Sequence, residues 1–172
     1  MIAGASNVHD DITVNLLSEL RGQLRGSGYR PFSRDGSIET VPGQIRRPDA
    51  GVDGGRRDPD AMQAAFPRLV AEVLSPTTRD LDTFEKICEY RQLASLDYIL
   101  AIEPNAPEVV LWSRGQERIW VRHLMEGLDR EVDMPSIGVT LKLRDIYDGV
   151  TFPSRPRLMR TADPPVEAAT LV

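Results

Sequence analysis

The clearest periodicity in the chain lies in residues 9–25, where Ile12, Leu16, Leu17, Leu20 and Leu24 recur at steps of one, three and four. That spacing gathers them on one side of a helix and predicts an amphipathic segment packed on a core. Gly26 and Gly28 end it. In 29–43, short polar runs flank Asp35-Gly36, a dipeptide suited to a tight turn, so a hairpin of two modest strands is expected. Pro48 bars a regular central strand at its own position, while the residues after it are free to extend. The Gly-, Asp- and Arg-rich stretch 54–63 reads as a solvated loop. Residues 69–74, Leu-Val-Ala-Glu-Val-Leu, form a short Val-containing apolar run stopped by Ser75-Pro76, the pattern of a buried strand. Thr77 or Thr78 is placed to cap a second helix over 80–93, with Leu81, Phe84, Ile87, Cys88 and Arg91 as its packing face.

Residues 98–102 repeat the buried-strand pattern. Two antiparallel strands are expected over 108–112 and 118–124, joined near Arg114-Gly115. Alternation of Val139, Leu141 and Leu143 predicts a late short strand, and Asp145-Ile146-Tyr147 a closing helical turn. After Phe152 no periodicity remains, and a mobile tail is expected. This order predicts one α/β domain with a mixed sheet over 1–152, followed by the tail 153–172.

The bulk numbers change little in that picture. At 172 residues, with 41% hydrophobic and 27% charged positions, the chain has the make-up of a single globular domain. A lone cysteine, Cys88, excludes an intramolecular disulfide and a cysteine-based zinc site, and fits a reducing cytoplasm. No leader-like N-terminus or membrane-length apolar run is present, so no membrane association is expected. A net charge of −5 argues against coating nucleic acid by bulk electrostatics, while leaving room for local phosphate contacts and a site for hard cations.

Glu72 is the residue that stands out, a carboxylate inside an apolar strand pattern. Burying an isolated charge costs several kcal/mol, roughly, unless it is paired, protonated or bound to a cation. Its bland alternative is an edge strand with Glu72 facing water. Asp49 follows Pro48, which stiffens the backbone carrying it, although Pro-Asp is also a common turn pair. Two carboxylates on neighbouring strands could hold Mg²⁺ through oxygen while leaving positions for water and phosphate. Lys86 shares a helical stripe with Asp82 and Tyr90, and could reach over the sheet toward Glu72 or simply pair with Asp82 at the surface. His9, at the start of the first helix, is open to capping it, to binding a partner or to no role; His123 falls in an expected outer strand, and neither has metal-ligand spacing. Arg46-Arg47 and Arg56-Arg57 flank Asp49 and could touch phosphates. No phosphate-cradling glycine loop, dinucleotide fingerprint or nucleophile elbow is present.

Arg47-Pro48-Asp49, then Ala71-Glu72-Val73-Leu74-Ser75-Pro76-Thr77-Thr78, then Asp82 with Lys86 and Tyr90, then Leu96-Asp97-Tyr98-Ile99-Leu100, resembles the Uma-two-type restriction endonuclease family of the PD-(D/E)XK nuclease superfamily. The likeness runs from about Ala3 to Tyr147. It implies a restriction-endonuclease-like core, a mixed sheet flanked by helices, with Mg²⁺ or Mn²⁺ in its cleft. Asp49 and Glu72 match the two motif acids, and the carbonyl of Val73 would assist them. Leu74 stands where the motif lysine is expected, and Lys86 on the following helix is the matching candidate. The resemblance also implies an N-terminal hairpin with a Tyr-Glu-Leu-type strand ahead of Ala3-Gly4, which this sequence does not contain. The expected function is metal-dependent hydrolysis of phosphodiester bonds in DNA, with Asp49, Glu72 and Lys86 catalytic and a homodimer admitted. The alternatives are an inactive nuclease-fold binding or regulatory protein, and a hydrolase that uses its paired carboxylates for acid–base work without metal.

Overall fold

The computed structural model describes residues 6–75 and 81–153, with the side chains of all of these except 81–83 and 116. Helix α1 (Asn7–Gln23) starts two residues before the apolar pattern does. The Ser6 side chain accepts a bond from the backbone N–H of His9 at 3.3 Å, which satisfies one of the free donors of the first turn. It ends ahead of Gly26, whose φ of +80° turns the chain out of the helix. Ile12, Leu16, Leu20 and Leu24 are buried, as their spacing requires.

The strands that follow are β1 (Arg30–Ser33), β2 (Ile38–Val41), β3 (Gln44–Arg46), β4 (Ala50–Asp53) and β5 (Pro67–Val73). Helix α2 (Leu81–Gln92) then leads to β6 (Tyr98–Glu103), β7 (Glu108–Arg114), β8 (Trp120–Glu126), β9 (Glu131–Met134), β10 (Val139–Lys142) and α3 (Leu143–Ile146). Among the described residues, six strands form one sheet in the order β1-β4-β5-β6-β7-β8, and within it only the β5–β6 pair is parallel. That pair is the one bridged by a helix, since parallel neighbours need a crossover. The expected mixed α/β fold with flanking helices is the fold observed.

Alternation along the central strands divides the core in two. Leu69, Ala71 and Val73 join Leu100, Ile102, Val109 and Leu111 on the face covered by α1. Val70, Ile99, Ala101 and Trp112 face the other way, toward Ile87 and Tyr90 of α2. Burial on both faces is why β5 and β6 read as continuous apolar runs.

Three local expectations need correction. β1 and β2 flank the Asp35-Gly36 turn but do not pair: β1 runs antiparallel to β4, and β2 to β3. Gly36 does not take the positive φ of a type I′ turn, and its N–H closes on Ser33 O at 2.8 Å, so the chain turns without the twist that aligns hairpin strands. α2 is rotated relative to its expected packing face: Phe84 is 65% exposed, whereas Tyr90 is wholly buried. Tyr90 can go under the helix because its hydroxyl finds a carboxylate there. β9, four residues alternating exposed and buried, is an element without a sequence counterpart; it pairs with β10, and Val132, Met134, Val139 and Leu141 of the pair join the α1-side core. The proposed caps Thr77 and Thr78 and the tail from 154 onward lie outside the described residues. Among the described residues no helix is long and apolar enough to cross a membrane.

Candidate active site

Asp49 sits immediately before β4, and Glu72 is the penultimate residue of β5. In the β4–β5 register Ala50 lies opposite Ala71, so the chain positions before Ala50 and after Ala71 bring the two acids to the same end of the sheet. Val73 lies beyond that last pair, and its N–H donates to Asp49 Oδ2 at 2.9 Å rather than to a strand. Asp49 is thereby fixed against the backbone of the residue next to Glu72. Both acids are buried, Asp49 at 7% and Glu72 at 9% exposure. β5 is internal to the sheet, so the edge-strand reading of Glu72 is overturned.

Each acid is served from a different face. From α1, His9 Nε2 lies 3.1 Å from Asp49 Oδ2. From α2, the Tyr90 hydroxyl donates to Glu72 Oε1 at 2.5 Å, and Lys86 Nζ stands 3.6 Å from Glu72 Oε2. Lys86 therefore does point over the sheet, as the stripe it shares with Tyr90 allowed; the side chain of Asp82, its surface alternative, lies outside the described residues. Arg34, 70% exposed, approaches Asp49 Oδ1 to 4.0 Å.

These surroundings split the two acids electrostatically. For Glu72 burial is the largest influence and raises its pKa; the Asp49 charge adds to this, and Lys86 and Tyr90 offset it only in part. For Asp49 burial also pushes upward, but the His9 bond, the Val73 N–H and the nearby His9 and Arg34 charges together outweigh it and hold the carboxyl below its ordinary range. His9 is raised, chiefly by its bond to Asp49, against the opposing effect of burial. Tyr90 is pushed far upward by burial and by the adjacent Glu72, so it stays a proton donor. One acid firmly ionised beside one that holds its proton more tightly is a division of roles typical of reactive sites.

Among the described residues no three His, Cys, Asp or Glu side chains gather closely enough to cage a metal by themselves. Mg²⁺ does not need such a cage, because it binds through one or two carboxylates and retains several waters. Two convergent acids and the Val73 peptide fit that donor set, and a buried carboxylate with a raised pKa is one that a cation would stabilise.

His9, whose role the sequence leaves open between capping, partner binding and none, lies on Asp49. Its place in the first turn of α1 was legible, but its partner lies forty residues away and no local spacing signals that. Arg46, open on sequence to a phosphate contact or to simple solvation, donates to Glu89 through two bonds of 2.7 and 2.6 Å. Arg47 donates to Asp35 O at 3.1 Å and stays exposed. Arg56 and Arg57 remain exposed, on a loop whose base is pinned by buried Asp53, which accepts from Arg30 and from the N–H groups of Gly55, Ala65 and Phe66. His123 lies on the outer strand β8, bonded to Ser113.

The chain is similar to known proteins in sequence and in fold. The chain is 29% identical over 153 residues to an uncharacterized protein of Synechocystis sp., covering 88% of this chain and 80% of that one. It shares its fold with a solved structure from Anabaena variabilis described as "a putative nuclease belonging to DUF820", at a TM-score of 0.67, 18% identity, and coverage of 83% of this chain and 82% of that one. With residues 1–144 matched, the chain belongs to the Uma2 family, described as "Putative restriction endonuclease".

Proposed function

We propose that this protein is a metal-dependent DNA endonuclease that hydrolyses phosphodiester bonds at the Asp49–Glu72 site. The observation that carries the reading is the meeting of two buried acids at one sheet end, with a lysine ammonium 3.6 Å from the second of them. Asp49, Glu72 and the Val73 carbonyl are the residues that would hold Mg²⁺ or Mn²⁺. Bound there, the ion supplies Lewis acidity to water and to the scissile phosphate. The rest falls to the chain itself. His9 and the Val73 N–H hold Asp49 in one orientation and keep it ionised. Tyr90 orients Glu72 from beneath and closes that side to water. Lys86, next to Glu72, is placed to position the attacking water and to offset charge building on the phosphoryl oxygens.

The second reading, a nuclease fold kept for binding or regulation, is favoured by one observation: both carboxylates already have protein partners, His9 and Val73 for Asp49, Lys86 and Tyr90 for Glu72. A cleavage assay on plasmid and single-stranded DNA with Mn²⁺ separates the two. Asp49→Ala and Glu72→Ala are expected to lower the cleavage rate by at least about 100-fold. Calorimetric Mn²⁺ titration of the same three proteins gives a second readout. A wild-type protein that binds no Mn²⁺ and nicks neither substrate would leave the binding reading in place.

A further inference from the structure

Of the two edge strands of the main sheet, β8 is the longer, seven residues with no further strand paired to it among the described residues, and it is exposed at Val121, Arg122, His123, Leu124 and Glu126. Such an edge presents unpaired backbone donors and acceptors, and folded proteins ordinarily shorten, bulge or cover it. Which groups are unpaired follows from the ladder. Gly127 N–H donates to Pro107 O and Gly115 N–H to Ile119 O, so the odd-numbered residues of β8 turn their peptides toward β7. Trp120, Arg122, Leu124 and Glu126 therefore turn theirs outward. Their side chains share one face, since Arg122 lies opposite Trp112 and Leu124 opposite Val110, both on the α2 side of the sheet.

We propose that this strand is a homodimer interface, in which two copies join β8 to β8 antiparallel about a two-fold axis through Leu124. A two-fold pairing must match outward residues with outward residues, which leaves few registers. Centred on Arg122 or on Glu126 it would set like charges opposite each other, and centred on His123 or Met125 it would set Arg122 opposite Leu124 or Leu128, with no counter-charge. Centred on Leu124 it sets Arg122 opposite the partner's Glu126, twice, with the two Leu124 side chains meeting at the axis, 45% exposed in the single chain. The same register answers an oddity within one copy. Glu126 lies directly across from Glu108 on β7, a like-charge pair that weakens a sheet. Glu126 has no ion-pair or hydrogen-bond partner among the described residues. A guanidinium arriving from the second copy supplies the missing counter-charge, while its own Trp112, 6.0 Å away, supports it from behind. β8 is separated from β5 by three strand spacings, roughly 14 Å, so both Asp49–Glu72 sites stay uncovered in the dimer.

The test is sedimentation velocity on the full chain with charge-reversed variants. Wild type is expected at twice the 19.2 kDa chain mass. Arg122→Glu and Glu126→Arg should each raise the dimer dissociation constant at least about ten-fold, because each sets like charges across the axis twice. The double variant Arg122→Glu/Glu126→Arg restores opposite charges and should return to within about three-fold of wild type. A wild-type chain that stays monomeric at about 100 μM, where even weak specific interfaces associate, overturns the proposal. So does a dimer indifferent to either reversal, or a double variant that remains as weak as the singles.

Discussion

Glu72 shows how one side chain in an unfavourable place can organise a site. Burial holds its pKa above the ordinary value of 4.5, and the neighbouring Asp49 charge works in the same direction. A cation bound there must displace whatever proton Glu72 holds, so affinity is linked to pH. Mn²⁺ affinity should rise as pH climbs through the raised Glu72 range and level off above it, which calorimetry across a pH series measures directly. Glu72→Gln should abolish both the binding and its pH dependence; retained, pH-dependent binding in that variant would assign the metal to other residues. Gly51, next to the site on β4, illustrates the opposite need, for no side chain at all. A Cβ there would lie 2.3 Å from the Phe32 ring and 2.9 Å from Leu69 O, so a side chain would clash with both the ring and the β5 backbone.

At the scale of elements, the site is held by helices docked from both faces of the sheet. α1 reaches it through His9, and the His9–Asp49 contact ties the start of that helix to the start of β4. This contact has two titrating ends. His9 is raised above 6.5, so its contribution is complete below that value and is lost as pH rises through the folded value. Asp49 is lowered below 3.8, so its contribution is complete above that value and is lost as pH falls through the folded value. Both are in force between about pH 4 and 6.5. Urea denaturation should accordingly show a stability gain in that window relative to higher pH, and His9→Gln should flatten the alkaline side of it. α2 is tied at its other side by Arg46 of β3, whose two bonds to Glu89 explain why the small β2–β3 sheet lies against that helix.

Over the whole molecule, stability should grade outward from β5 and β6. These strands are buried on both faces and flanked by partners on both sides, whereas β1 and β8 each have one free edge and β2–β3 is a two-stranded sheet packed by a single helix. Hydrogen exchange under native conditions is expected to leave β5 and β6 protected longest, with β2, β3 and β1 opening first. Early loss of protection in β5 would mean that the carboxylate end of the sheet is itself a weak point of the fold. The site then sits at the junction of the most and least stable parts, with Glu72 on the rigid strand and Asp49 on the chain entering from the looser one.

The elements with strong local signals could be read without any coordinates. α1 has a clear hydrophobic period, β5 and β6 are short apolar runs whose length and composition favour strands, and the Glu72 anomaly is visible as a charge inside such a run. Helical spacing puts Lys86 on one stripe with Tyr90 and leaves both the Glu72 side and a surface pair with Asp82 open to it. Other features depend on partners distant in the chain. Whether β1 pairs with β2 or β4 is decided by how the sheet is assembled, and the Asp35-Gly36 dipeptide fits either outcome. The face of α2 turns on Tyr90 finding a buried acceptor, which hydrophobicity alone cannot weigh against Phe84. His9 acquires a partner only when α1 crosses the end of β4. Local periodicity determines what a segment can become, because it acts through neighbours three or four residues away; the meeting of His9, Asp49, Glu72 and Lys86 is a long-range contact, and only the packed sheet and helices decide it.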